Sequence, residues 1–288
     1  MNTRAWIGGT TAAGVVGASF PVSEALVDYP VASGQMIRYA AGALILAALL
    51  KGRLGRPTLQ ELGLLALVAA VGMAGFNLAV LGAVEYMGAT NTGVIIGASP
   101  VILALTATTR DPGILAAAGV VVAGAAIVNG ADSRLSAVGL AIALAALLCE
   151  VGFTLLAAPL LPRLGPTRVA AWSAILATVE LALLSRGDVP MPTHGEAAAI
   201  AYLAIITTAL AFVLWFSAVQ TLGAAKAGLL VGLMPVAAVA IDAVLNGRTP
   251  STADLAGTAL VAAGVAFGAR GARAPRPDAA PEPLASLA

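Results

Sequence analysis

The chain has 288 residues, 60% of them hydrophobic and 10% charged, against roughly 25% charged in soluble proteins. Fifteen basic and 14 acidic side chains cannot cover the surface that a soluble protein of this length exposes, so the solvent is a lipid bilayer. The net charge of +1 says nothing about a nucleic-acid partner, but the basic residues never cluster densely enough to track a phosphate backbone, and none is expected.

Uncharged runs cover residues 5–23, 62–84, 86–109, 112–131 and 197–225. Each is close to or above the roughly 20 residues that a helix needs to cross about 30 Å of hydrocarbon. Shorter runs at 39–50, 135–149, 169–179, 227–241 and 255–269 become spans if one ionisable residue is tolerated. The expectation is an all-α integral membrane protein of ten transmembrane helices with short loops. The apolar run after Arg4 is too long for a signal peptide and reads as the first span. With one cysteine, Cys149, and one histidine, His194, no disulfide, metal site or cofactor is expected.

With the N-terminus in the cytoplasm, Arg4, Lys51, Arg53, Arg56, Arg110, Arg163, Arg168, Lys226, Arg270, Arg273 and Arg276 lie inside. Arg134, Arg186 and Arg248 lie outside. This bias sets both termini in the cytoplasm. Residues 271–288, rich in Pro, Ala and Arg, read as a disordered cytoplasmic tail.

The chain also repeats itself. Ala83-Val84, Gly88-Ala89, Gly93, Gly97 and Pro100-Val101 match Ala218-Val219, Gly223-Ala224, Gly228, Gly232 and Pro235-Val236, and further on Val121 to Gly124 matches Val261 to Gly264. Two five-helix units follow, 1–130 and 131–270. Because five is odd, the second is inverted, which is the architecture of carriers that rock about a midplane site. Gly93-x-x-x-Gly97 and Gly228-x-x-x-Gly232 allow close helix approach. Pro100 and Pro235 are expected to bend their helices and free the carbonyls of Ile96 and Val231. These six residues are the candidate structural and hinge positions.

The doubled Gly-Ala, spaced-glycine and Pro-Val pattern, with Arg38 in the second span and a closing glycine-rich helix, resembles the ten-helix EamA-type members of the drug/metabolite transporter superfamily. Over residues 5–269 it is most similar to the YddG-like bacterial amino-acid and metabolite exporters. The resemblance implies a multi-pass protein of the bacterial inner membrane that works as a monomer, and not an enzyme. The family's Gly-Glu after each repeat proline is absent here: Gly247-Arg248 stands in one copy and Thr109-Arg110-Asp111-Pro112 in the other.

Charges inside a membrane are costly and mark function by default. Four stand out: Arg38, Glu150, Glu180 and Asp242. Two roles are open for Arg38, a structural anchor to carbonyls or a carboxylate, and a substrate contact. Glu150, with Thr154 one turn on, is either a proton and cation site, by analogy with small multidrug carriers, or a glutamate neutralised by protonation or by Arg38. Glu180 and Asp242 read as groove-facing or capped carboxylates and Lys226 as snorkelling. On helices that line the family's cavity lie Phe20, Asn77, Asn91, Ser99, Phe153, Trp215 and Met234, the last candidates for substrate binding. One arginine, one acid, a few amides and several aromatics suit a small zwitterion. The leading reading is export of amino acids or similar small metabolites by alternating access, with protons available for coupling. A lipophilic-cation exporter is the alternative. An intramembrane enzyme is disfavoured, since no embedded histidine accompanies Ser99 and Asp242 is the sole embedded aspartate.

Overall fold

The structure is a computed structural model that describes residues 2–107, 111–129, 136–246 and 249–270. Its helices run in the order α1 (Thr3–Gly17), α2 (Phe20–Ser23), α3 (Val31–Leu49), α4 (Leu59–Ala69), α5 (Phe76–Ile96), α6 (Ser99–Leu105), α7 (Pro112–Asn129) and α8 (Ala137–Ala157). They continue with α9 (Leu161–Leu164), α10 (Pro166–Ser185), α11 (His194–Tyr202), α12 (Ala211–Leu222), α13 (Ala224–Gly228), α14 (Leu233–Asn246) and α15 (Thr252–Arg270). No strand occurs among the described residues, and seven helices there are long and apolar enough to cross a membrane.

Local chemistry sets several boundaries. Thr58 and Thr193 each open a helix with a capping box, accepting from the backbone N–H of Glu61 and Glu196 while those carboxylates reach back. Gly223, at φ +81°, makes the tight turn between α12 and α13 that a side chain would resist. Its repeat partner Gly88 lies within α5, which runs unbroken across the expected boundary between the third and fourth spans.

The two repeat prolines act differently from the sequence expectation. Pro100 occupies the first turn of α6, where no backbone N–H is needed, because the chain has already turned at Gly97–Ala98. Before Pro235 the backbone tightens to a 3₁₀ turn over Leu229–Gly232. At its Leu233 cap the carbonyls of Leu230 and Val231 accept backbone N–H groups, so Val231 is not left free.

α4 and α5 are joined by a π-helical turn, Ala70–Gly75, and α11 and α12 by another, Leu203–Leu210. These rare turns widen the helix and shift its register, and they frequently mark functional sites. α1 packs on α12 and α14, and α8 packs on α5 and α6; α3 pairs with α10 and α7 with α15.

The seam between α7 and α15 has a reciprocal geometry. A methyl group at Gly124 of α7 would lie 2.7 Å from both the Gly257 carbonyl oxygen and the Val261 nitrogen of α15. One at Gly264 of α15 would lie 3.0 Å from both the Ala117 carbonyl oxygen and the Val121 nitrogen of α7. Each glycine meets the sequence equivalents of what the other meets, so backbone touches backbone twice across the seam.

Loops cluster at two ends. At one, Arg163 of α9 pairs with Glu61, and Arg168 and Trp172 donate to the carbonyls of Arg53 and Leu54. At the other, the Tyr29 hydroxyl donates to the Pro190 carbonyl at 2.6 Å and the Ser33 hydroxyl to the Asp188 carbonyl.

Candidate functional site

The site is assembled where α3 and α8 meet the two π-helical turns. On α3, a methyl at Gly42 would lie 2.6 Å from Thr208 Cγ2, so the bare glycine lets the helix close on the Leu203–Leu210 turn. One turn earlier on the same face, Arg38 then reaches that turn. Its Nε donates to Thr208 Oγ1 at 2.9 Å, Nη2 to Thr207 Oγ1 at 2.9 Å, and Nη1 to Gln35 Oε1 at 3.0 Å. Thr207 passes its own hydrogen to the Leu203 carbonyl at 2.7 Å, leaving lone pairs for the guanidinium. The guanidinium carbon also lies 5.1 Å from the Tyr39 ring centroid.

Every one of these partners is neutral. The expected anchors, carbonyls or a carboxylate, are replaced by two hydroxyls and an amide, because the π-helical turn presents Thr207 and Thr208 side by side. Glu150 does not neutralise Arg38. Half-buried on α8 one turn before Thr154, it forms no hydrogen bond or ion pair with any described residue.

An aromatic cluster extends from Arg38 toward α8. Asn77 Nδ2 donates to the Tyr39 hydroxyl at 3.0 Å and to the Met73 carbonyl at 2.6 Å. Ring centroids lie 6.5 Å apart for Tyr39 and Phe212, 5.1 Å for Phe212 and Phe153, and 5.0 Å for Phe153 and Phe216. Gly72, in the Ala70–Gly75 turn, gives Phe153 its place, since any side chain there would collide with the ring. Trp215 is buried and donates to Thr154 Oγ1 at 3.2 Å.

Arg38, Asn77 and Phe153 are thus joined by hydrogen bonds and ring contacts among Tyr39, Phe212, Phe216, Thr207 and Thr208, while the bonded pair Trp215–Thr154 adjoins Phe216 and Phe153 along the chain. Others lie apart. Ser99 is fully buried and its hydroxyl has no partner among the described residues. Met234 presents its backbone carbonyl to Gly17. Gly228 and Gly232 meet Leu103 and Val121, as packing glycines should. Glu180 on α10 is half-buried with one carboxylate oxygen unpartnered. The side chains of Phe20, Asn91 and Asp242, together with Arg110, Arg134, Arg248 and residues 271–288, lie outside the described residues. No group of His, Cys, Asp and Glu suited to a metal occurs among the described residues.

The sequence reading misses Tyr39, Thr207, Thr208, Phe212 and Phe216. Phe212 and Phe216 carried a signal, being four residues apart on the helix of Trp215. The threonines carried none.

Comparison with known proteins agrees with this architecture. The model of the EamA-like transporter family matches residues 137–269. An uncharacterized transporter, YetK, of Bacillus subtilis (strain 168) is 25% identical over 283 residues, covering 91% of this chain and 85% of its own. A probable terminal-alkyne amino-acid exporter of Streptantibioticus cattleyicolor is 28% identical over 264 residues, covering 86% and 87%. A solved crystal structure superposes with a TM-score of 0.77 over 92% of this chain and 96% of that one, at 19% identity, and so shares the fold. With an EamA-like transporter domain over residues 137–269, seven helices among the described residues long and apolar enough to cross a membrane, and bacterial relatives named as transporters, the chain is a multi-pass inner-membrane protein that carries an EamA-like transporter domain.

Proposed function

We propose that the protein exports amino acids or similar small zwitterions by alternating access, through ten spans arranged as two inverted five-helix repeats with both termini cytoplasmic. The observation that carries the substrate class is Arg38: a cation at membrane depth, held by Gln35, Thr207 and Thr208, all neutral, beside an aromatic cluster. Such a charge is costly unless an anion joins it, and a guanidinium fork fits a carboxylate. The rings would receive an apolar side chain, and Glu150 the ammonium group. The similarity to a probable amino-acid exporter supports the same class. The mutual seam of α7 and α15 and the exchanged packing of α1 and α8 support the inverted repeat.

Counterflow in liposomes across the twenty amino acids tests the reading: at least one drives exchange, and a folded protein that moves none sinks it. Arg38→Lys keeps the charge and loses the fork to Thr207 and Thr208. With charged hydrogen bonds at about 1.5–3 kcal/mol, its exchange rate falls about tenfold or more.

A second reading rests on the Glu150 carboxylate, which has no partner among the described residues and suits a lipophilic cation. A Glu150→Gln variant that loses cation transport while keeping amino-acid exchange would favour it. The same carboxylate, with Glu180 and Asp242, is available for proton coupling.

A further inference from the structure

At the end of the molecule that carries the Arg163–Glu61 pair, a cavity of about 380 Å³ opens between α6, α7, α8 and the turn from α12 into α13. It falls within the roughly 300–1,000 Å³ of small-molecule sites. Leu103, Ile114, Leu155 and Leu222 form its apolar wall, and Thr106 and Lys226 are its polar side chains among the described residues.

Among the described residues, no acidic side chain lines the cavity. Lys226 forms no ion pair among the described residues, and the nearest acid in sequence on α7's side, Asp111, accepts the Gly113 backbone N–H at 2.8 Å. Thr106 donates to the Leu103 carbonyl at 3.1 Å, so its hydroxyl meets the cavity as an acceptor and leaves the ammonium group as the recognising charge. The floor is closed. Leu103 is buried, and a methyl at Gly228 would lie 2.7 Å from its Cδ1, so α6 and α13 must part before anything passes toward the aromatic cluster.

We infer that this cavity is a cytosolic loading subsite that binds the carboxylate of a short apolar acid at Lys226, with Leu103 against Gly228 as the gate beneath it. This rests on the amino-acid reading above for its role in transport, while the binding itself stands alone. An ammonium group facing an apolar wall, with no counter-ion among the described residues, discriminates an acid from its uncharged amide by charge and admits an aliphatic tail by shape. A lipid headgroup phosphate offers related chemistry to a snorkelling lysine, and the test separates the two.

The chain has two lysines, Lys226 and the exposed Lys51, so the wild-type protein holds its own control. In phosphatidylcholine vesicles, acetylation by N-acetoxysuccinimide is followed by peptide mass spectrometry. Rising 4-methylpentanoate slows Lys226 acetylation at least threefold and leaves Lys51 unchanged, while neutral 4-methylpentanamide protects neither. Equal effects on both lysines, equal protection by the amide, or protection only when phosphatidylglycerol is added overturns the subsite.

In transport, Lys226→Gln raises the half-saturating leucine concentration at the cytosolic face about tenfold with the maximal rate kept, and Lys226→Arg restores it. An unchanged half-saturation in Lys226→Gln also overturns the proposal. Should the wild type exchange no amino acid, the transport reading fails, and the acetylation result still decides the subsite.

Discussion

Arg38 and Tyr29 show how single side chains tie the two halves of the chain together. Arg38 bonds to residues 169 and 170 positions away, and Tyr29 to one 161 away. Burial, together with the carboxylates of Glu196 and Asp188, pushes the Tyr29 phenol above its ordinary value of 10.0. The neutral phenol is therefore favoured in the folded state. Its contribution is complete below pH 10 and is lost as pH rises through the higher native value. Thermal midpoints measured from pH 8 to 11 fall more steeply for the wild type than for Tyr29→Phe, which is less stable at pH 8 by about 1 kcal/mol for the lost hydrogen bond. Parallel curves would remove Tyr29 from the account. Arg38, Asn77, Phe153 and Trp215 were legible from the sequence because charge, amides and large rings are rare in an apolar chain. Thr207 and Thr208 were not, since a hydroxyl that bonds within its own helix is common in membrane spans, and only the fold brings these two to a guanidinium.

Among elements, the helices follow from uncharged runs and capping residues, and most spans can be drawn from hydropathy alone. What hydropathy does not contain is register. The π-helical turns Ala70–Gly75 and Leu203–Leu210 are as apolar as their surroundings, so nothing in composition separates them from α-helix. They fall at equivalent places on either side of the sequence match between residues 83–101 and 218–236, and each carries one wall of the site. The sequence marks small residues as packing positions but does not give their partners. Gly124 and Gly257 now have each other: a methyl on Gly257 would lie 2.6 Å from the Gly124 carbonyl oxygen. Backbone cannot step aside as a side chain can, so Gly124→Ala or Gly257→Ala costs about 1–3 kcal/mol as overpacking. Gly63→Ala, with open space around it, is the control. Thermal unfolding in detergent should lower the midpoint of the first two and leave the control unmoved; three equal midpoints would mean the seam yields.

For the molecule as a whole, the charge distribution makes a claim about sidedness that the packing of loops sharpens. Residues 51–58 meet 163–172, and residues 29–33 meet 188–190, so each end is a joint surface of both halves. In a Cys149→Ala background, a cysteine at Lys51 should react with an impermeant maleimide only in inside-out vesicles, and one at Val189 only in intact cells. The opposite pattern would invert the orientation, and labelling of both from one side would break the alternation of spans.

Trp215 has an optical consequence. Of the three tryptophans, Trp6 and Trp172 are half-buried, and Trp172 donates to a loop carbonyl, whereas Trp215 is buried beside Phe216 with its indole bonded to Thr154. Its emission is expected to follow the packing of α8 against α12. Any rearrangement of α8 against α12 alters that indole's surroundings first, so the unlabelled protein carries a built-in spectroscopic reporter at its own centre.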